Sequence, residues 1–218
     1  MRSLLATDGM LVKRPLLVSG DFVLVGFKET EWQKEFYQRG LVYQDMENYD
    51  KAIEDYTKAI SIYSKDGKVY KDRADSYFQK EQYDNAMSDY TKAIEYAHGD
   101  ADTYIGRGRT YYKLKQYDNS IADCTQAISI NSNYDWAYLL RGVVYDDKGY
   151  YDQAISQYSR ALEISPKYAM AYNNRGASYE HKGDYDQAIA DFRKAIEIDP
   201  NKELYKENLK IAQSNAGQ

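Results

Sequence analysis

The chain is poor in the residues on which cross-linking and catalysis usually rest. It has one cysteine, Cys124, so no internal disulfide can form; this fits a reducing compartment and gives the cytoplasm as the expected location. Its two histidines, His98 and His181, stand far apart with no ligand spacing around them, so no metal site is expected, and no cofactor is expected either. Acids and bases are mixed along the chain and the net charge is −5, so the basic face of a nucleic-acid binder is missing. No apolar run is long enough to span a bilayer. Nor is there a cationic start leading into an apolar block and a small-residue cleavage site. Neither nucleic acid nor membrane is an expected partner.

What the chain has in quantity is tyrosine, 25 in 218 residues. A ruler of 34 residues puts them in order. Laid from Ala169 to Lys202, it fits again from Asp135, Ala101, Gly67 and Gln33, which makes five copies without an insertion. Positions 4, 11, 17 and 24 of the ruler hold 17 of the tyrosines. Such fixed offsets mark stacked supersecondary units. Each copy predicts two antiparallel helices, A over positions 2 to 14 and B over about 18 to 31.

Other positions define how the helices pack. Position 8 is small in every copy (Gly40, Ala74, Gly108, Gly142, Gly176), as are positions 20 and 27. A mid-helix glycine costs about 1 kcal/mol relative to alanine, so its recurrence predicts a close helix approach. Position 18 is always aspartate (Asp50, Asp84, Asp118, Asp152, Asp186) and is expected to cap helix B. Position 7 is always arginine, and position 23 is aspartate except at Gln157. A charge on a packing face needs a partner, which predicts Arg39–Asp55, Arg73–Asp89, Arg107–Asp123 and Arg175–Asp191. Aliphatic residues at positions 21 and 28 are expected in the core.

This pattern resembles the tetratricopeptide repeat family over residues 33–202, in units 33–66, 67–100, 101–134, 135–168 and 169–202. The resemblance implies an all-α, right-handed superhelical solenoid of five helix-turn-helix units. Residues 203–218 are expected to supply a capping helix and a short tail. The resemblance also implies a concave surface lined by the A helices through positions 2, 5, 6, 9, 12 and 13. On that face Trp136, Leu139, Leu140 and Val143 are expected to form an apolar patch beside Ile105 and Tyr112. Trp136 and Arg109 are the expected lead contacts, since aromatic and arginine side chains are the usual anchors. Tyr37, Lys71, Phe78, Asn173 and Asn174 complete the expected peptide-binding groove.

The expected function is therefore a non-catalytic protein–protein interaction scaffold that binds a peptide segment of a partner. Self-association through the patch, giving a homo-oligomer, is the alternative. Chaperone-binding members of the family hold a C-terminal carboxylate with Lys, Asn, Asn, Lys and Arg at set positions. Counted from repeat two this chain offers Lys71, Asp75, Gly106, Trp136 and Leu140, and the frames from repeats one and three fail as well. A chaperone C-terminus is not an expected partner.

Residues 1–32 do not fit the ruler. Leu16–Val18 and Phe22–Val25 flank Ser19-Gly20-Asp21 and predict a short N-terminal β-hairpin. Thr30, three residues before Gln33, predicts a capping box. The words GMLVKRPLLV and VLVGFKETEW resemble the C-terminal end of the arsenate reductase family, Spx-like relatives included. That resemblance implies a thioredoxin-type remnant, with Arg14 at the oxyanion-contacting arginine and Pro15 beside it. The family's nucleophilic cysteine belongs to a part that is absent here, and Cys124 lies inside a repeat. Without a thiolate no reductase chemistry is expected, and an oxidoreductase reading is set aside on that ground.

Overall fold

The computed structural model describes residues 4–5, 11–12 and 29–217. β1 (Leu4–Leu5) pairs antiparallel with β2 (Leu11–Val12), with Leu4 opposite Val12. The hairpin expected at 16–18 and 22–25 lies outside the described residues, as do Arg14 and Pro15. From Glu29 onward the described chain is helical. The A helices are α1 (Glu29–Asp45), α3 (Gly67–Gln79), α5 (Ala101–Lys113), α7 (Asp135–Asp147) and α9 (Ala169–His181). The B helices are α2 (Tyr49–Ile62), α4 (Tyr83–Ala97), α6 (Tyr117–Ile130), α8 (Tyr151–Ile164) and α10 (Tyr185–Ile198), and α11 (Glu203–Ala216) follows.

Two expected caps are corrected. α1 begins before Thr30, which therefore sits inside the helix. Every B helix begins one residue earlier than expected, so the repeated aspartate is its second residue and not its cap. It still faces the positive end of the helix dipole. Asp50, Asp118 and Asp152 also take a lysine from the next repeat, Lys80, Lys148 and Lys182 respectively.

The turn from A to B repeats as closely as the helices do. Glu47, Glu81, Lys115, Gly149 and Gly183, all at position 15, have positive φ. One residue later the amide donates back to the carbonyl of the position-11 tyrosine, as in Gln116 to Tyr111 at 2.8 Å and Asp184 to Tyr179 at 2.9 Å. This is a Schellman closure, which satisfies carbonyls left free at the end of a helix.

The core of every unit but the third, where Cys124 takes its place, holds an aromatic ring from helix B against the small residue of helix A. Tyr56, Tyr90, Tyr158 and Phe192 are fully buried. A Cβ on Gly142 would lie 2.6 Å from the Tyr158 ring, and one on Gly40 would lie 2.5 Å from Tyr56. The alanines at positions 20 and 27 are buried around them. The aliphatics at positions 21 and 28 are half-buried instead of central, Leu162 excepted, because they sit on the flank of helix B.

All four predicted Arg–Asp pairs form within their repeats. Arg107 reaches Asp123 with Nε and Nη2, each at 2.8 Å, and Arg73 reaches Asp89 at 2.7 and 2.9 Å. In the fourth repeat Arg141 makes the same two-pronged approach to Gln157 Oε1, at 2.9 and 2.6 Å. The arginines also tie successive repeats together. Arg73, Arg141 and Arg175 donate to Thr57, Thr125 and Ser159 of the preceding unit, at 2.9, 3.1 and 3.0 Å. This fork geometry is why arginine, not lysine, fills the position.

Curvature follows from which helices touch. Each A helix packs against the next A helix, from α1 to α3 and on to α11. Among the described residues no B helix reaches the next B helix. The A row is therefore the tighter, inner side of the array, and its free face is concave.

α11 is more than a lid. Glu203 stands 34 residues after Ala169, so α11 is the A helix of a sixth unit. Its positions 3 and 10, Tyr205 and Ala212, are buried like Val69 and Ser76 or Ala171 and Ser178 before them. On α11, Lys206, Lys210 and Gln213 stand where the other A helices carry the aromatic, small and aromatic residues that seat their B helix.

Candidate functional site

The inner face divides into residues that build the array and residues that do not. Ile105, Leu139 and Leu140 belong to the first group. Leu140 and Ile105 pack with Cys124, Ala137 and Val144, and Leu139 packs with Tyr138, Ala154 and Tyr158. The expected apolar patch is thus smaller than the sequence implied, because these three side chains turn into the gaps between neighbouring helices. Trp136 and Val143 rest against the same clusters but stay half-exposed.

Across the middle of the face runs a stack over three repeats. The Arg109 guanidinium carbon lies 4.4 Å from the Phe78 ring centroid and 6.0 Å from that of Trp136. A cation between two ring faces at these distances is attracted by both quadrupoles. Among the expected residues, the structure thus brings Phe78, Arg109 and Trp136 together. Tyr112 packs, like Trp136, against the cluster of Ile105 and Leu140, with its ring 6.1 Å from that of Tyr117. Burial and a hydrogen bond to Asp147 push the Tyr112 hydroxyl up to about 12, so it stays a donor at neutral pH.

Towards the first repeat the face is a polar network. Tyr37 donates to Asp72 at 2.6 Å, and Lys71 donates to Asp75 at 3.1 Å. Burial works against the Lys71 charge, but Asp75 and Asp72 more than offset it and hold the ammonium above the ordinary lysine range. Burial raises Asp72 above the usual carboxylate range. Tyr37 and Lys71 thus already have partners on the protein.

Towards the last repeat Asn173 is buried and Asn174 is half-buried. Asn173 accepts from Asn208 of α11 at 2.8 Å, and Glu180 accepts from Asn215 at 3.0 Å. Ser178 donates to Asp146 across the previous pair of A helices. These bonds show which positions of adjacent A helices face one another. Asn173 is absorbed in them, whereas Met170, Leu204 and Ile211 remain 45, 49 and 53% exposed. Met170, at ruler position 2, is among the residues expected to line this face; Leu204 and Ile211 are not, and the signal that finds those two is the ruler itself, extended past Lys202.

Clusters of three or more His, Cys, Asp or Glu able to hold a metal ion are absent among the described residues. Cys124 is a buried free thiol, and burial pushes it up to about 12. No described helix is long and apolar enough to cross a membrane.

Comparison with known proteins agrees with the fold. One family model, Tetratricopeptide repeat, matches residues 34–66, 101–134 and 169–202. Another, TPR repeat, matches 74–115 and 145–183. Among solved structures the chain is similar to YrrB, described as a TPR protein with an unusual peptide-binding site, at 24% identity and TM-score 0.69, covering 84% of this chain and 97% of that one. It is also similar to the MamA protein, at 26% identity and TM-score 0.71, covering 81% and 96%. A curated relative, the uncharacterized protein YusI of Bacillus subtilis (strain 168), is 54% identical over 33 residues. The match spans 15% of this chain and 28% of the length of that relative.

Proposed function

This chain carries tetratricopeptide repeats, and from that premise we propose that it is a non-catalytic scaffold that holds a peptide segment of a partner protein on the concave row of A helices. The observation that carries the reading is the stack of Phe78, Arg109 and Trp136. The Arg–Asp forks that close the array do not include these three, although Phe78 is buried with Ala74, Ala86 and Tyr90 and Trp136 rests on the neighbouring clusters. Aromatic and arginine side chains gathered on a concave face are suited to anchor a peptide. The free, buried Cys124 thiol supports the proposed cytoplasmic location and offers no nucleophile for the reductase chemistry that residues 1–32 bring to mind.

The test is affinity capture from source-cell extract with the full chain, comparing wild type with Trp136→Glu and Arg109→Ala, each checked for helical content. A partner retained by wild type and lost with both folded variants supports the reading. Partners retained equally by all three would refute it.

Self-association is the second reading, and one observation favours it. Position 10 of helix A is fully buried in repeats two to five, at Ser76, Thr110, Val144 and Ser178, but in repeat one Val42 is 55% exposed. Met46 beside it is 69% exposed. Among the described residues, no helix stacks on the incoming face of α1. Sedimentation of wild type against Val42→Lys separates this reading from partner capture.

A further inference from the structure

Building on the groove reading above, we infer that the C-terminal half of the concave face docks a cationic amphipathic segment of a partner protein, and that α11 supplies part of that site. Two apolar rows run across the last three A helices. Position 2 gives Trp136, Met170 and Leu204, and position 9 gives Val143, Ala177 and Ile211. α7 packs on α9 and α9 on α11, so equal positions lie side by side. Met170, Leu204 and Ile211 are about half exposed. They contribute nothing to closing the array, which on α11 is done by Tyr205 and Ala212.

Charge sets the class of occupant. The inner-face positions of α7, α9 and α11 carry Asp146, Asp147, Glu180 and Glu207, with His181 and neither lysine nor arginine among them. The same positions of α1, α3 and α5 carry Lys34, Lys68, Lys71, Arg109 and Lys113 beside their acids. One groove thus has a mixed half and a purely acidic half, and the acidic half holds the exposed apolar rows. Asp147 and Glu207 are exposed; Asp146 and Glu180 are half-buried and take Ser178 and Asn215. An acidic border along an apolar lane fits a segment with apolar residues on one face and lysine or arginine beside them. The aliphatic stems of those cations lie on the lane while their heads meet the carboxylates. A helix-in-groove or an extended segment meets these requirements equally.

The probe is a labelled amphipathic peptide of leucine and lysine, titrated into the full chain by fluorescence anisotropy beside its leucine–glutamate counterpart. The lysine peptide is expected to bind and the glutamate peptide not. Leu204→Ser with Ile211→Ser, and separately Asp147→Lys with Glu207→Lys, are each expected to weaken binding by about tenfold or more. All four side chains are exposed; Asp147 also accepts from Tyr112, so helical content is checked for each variant. Glu95→Lys with Glu197→Lys, on the B helices, is expected to leave affinity nearly unchanged. Equal binding of the two peptides, or equal loss in the B-helix control, would overturn the inference. Partner capture that depends on Trp136 but ignores the α11 changes would leave the groove reading standing and sink this one. Self-association abolished by Leu204→Ser would assign the lane to a second copy and likewise overturn it.

Discussion

Asn208 on α11 donates to Asn173 on α9 at 2.8 Å, a step of 35 residues, the same step by which Tyr37 on α1 donates to Asp72 on α3. The first and last pairs of A helices are therefore joined in one register. The last helix is a continuation of the inner wall.

The Arg–Asp forks make a first prediction. Asp123 is buried, and Arg107 is mostly buried above it. Removing one partner of such a pair strands the other charge. Asp123→Ala should cost about 3 kcal/mol in urea unfolding. Gln157→Ala, which strands Arg141 against a lost neutral acceptor, should cost less, about 1 kcal/mol. Equal costs would show that charge is not what the fork supplies.

Two glycines at the same ruler position should respond with opposite sign. Gly142→Ala drives a methyl against the buried Tyr158 ring and should destabilise by about 1–3 kcal/mol. Gly108 faces Cys124 in place of a ring, and the nearest atom to an added Cβ is Asp123 Cβ at 3.4 Å. Gly108→Ala should therefore keep the helix-propensity gain and stabilise by up to about 1 kcal/mol. Thermal unfolding of the two variants checks both signs, and destabilisation by Gly108→Ala would contradict the packing described.

Cys124 predicts a pH effect. Burial raises its thiol from 9.0 to about 12, so the folded state favours the neutral form. That contribution to stability is complete below pH 9 and is lost as pH rises towards 12. At pH 8 an alkylating reagent should leave the native chain unmodified and label it at once in denaturant. Rapid labelling of the native chain would place an accessible thiolate in the repeat and reopen the enzymatic reading.

The solenoid was legible because packing acts at fixed positions. Arginine at 7, a small residue at 8 and aspartate at 23 each answer one local need, so the ruler found them and the Arg–Asp pairing, whereas the ring of position 24 lying against position 8 came from the structure. The wall was less legible. Leu139 and Leu140 differ from Trp136 only in which way a side chain on the same helix turns, and the room made by neighbouring Ala137 and Ala154 decides that. α11 is expected as a cap because its apolar stripe, Leu204, Leu209 and Ile211, is only partial and lysines and acids fill the rest. Its inner-face residues, Leu204 and Ile211, needed only the 34-residue step to place them.

The claim that the inner wall, α11 included, is the binding surface is tested most directly by site-specific photo-crosslinking in the source cell. A photoreactive phenylalanine analogue is placed singly at Met170, Leu204 and Ile211, and at Ile130, which is equally exposed at the end of a B helix. The same partner protein cross-linked from all three inner positions and not from Ile130 is the predicted result. Cross-links that arise from Ile130 alone, or equally from every position, would contradict it.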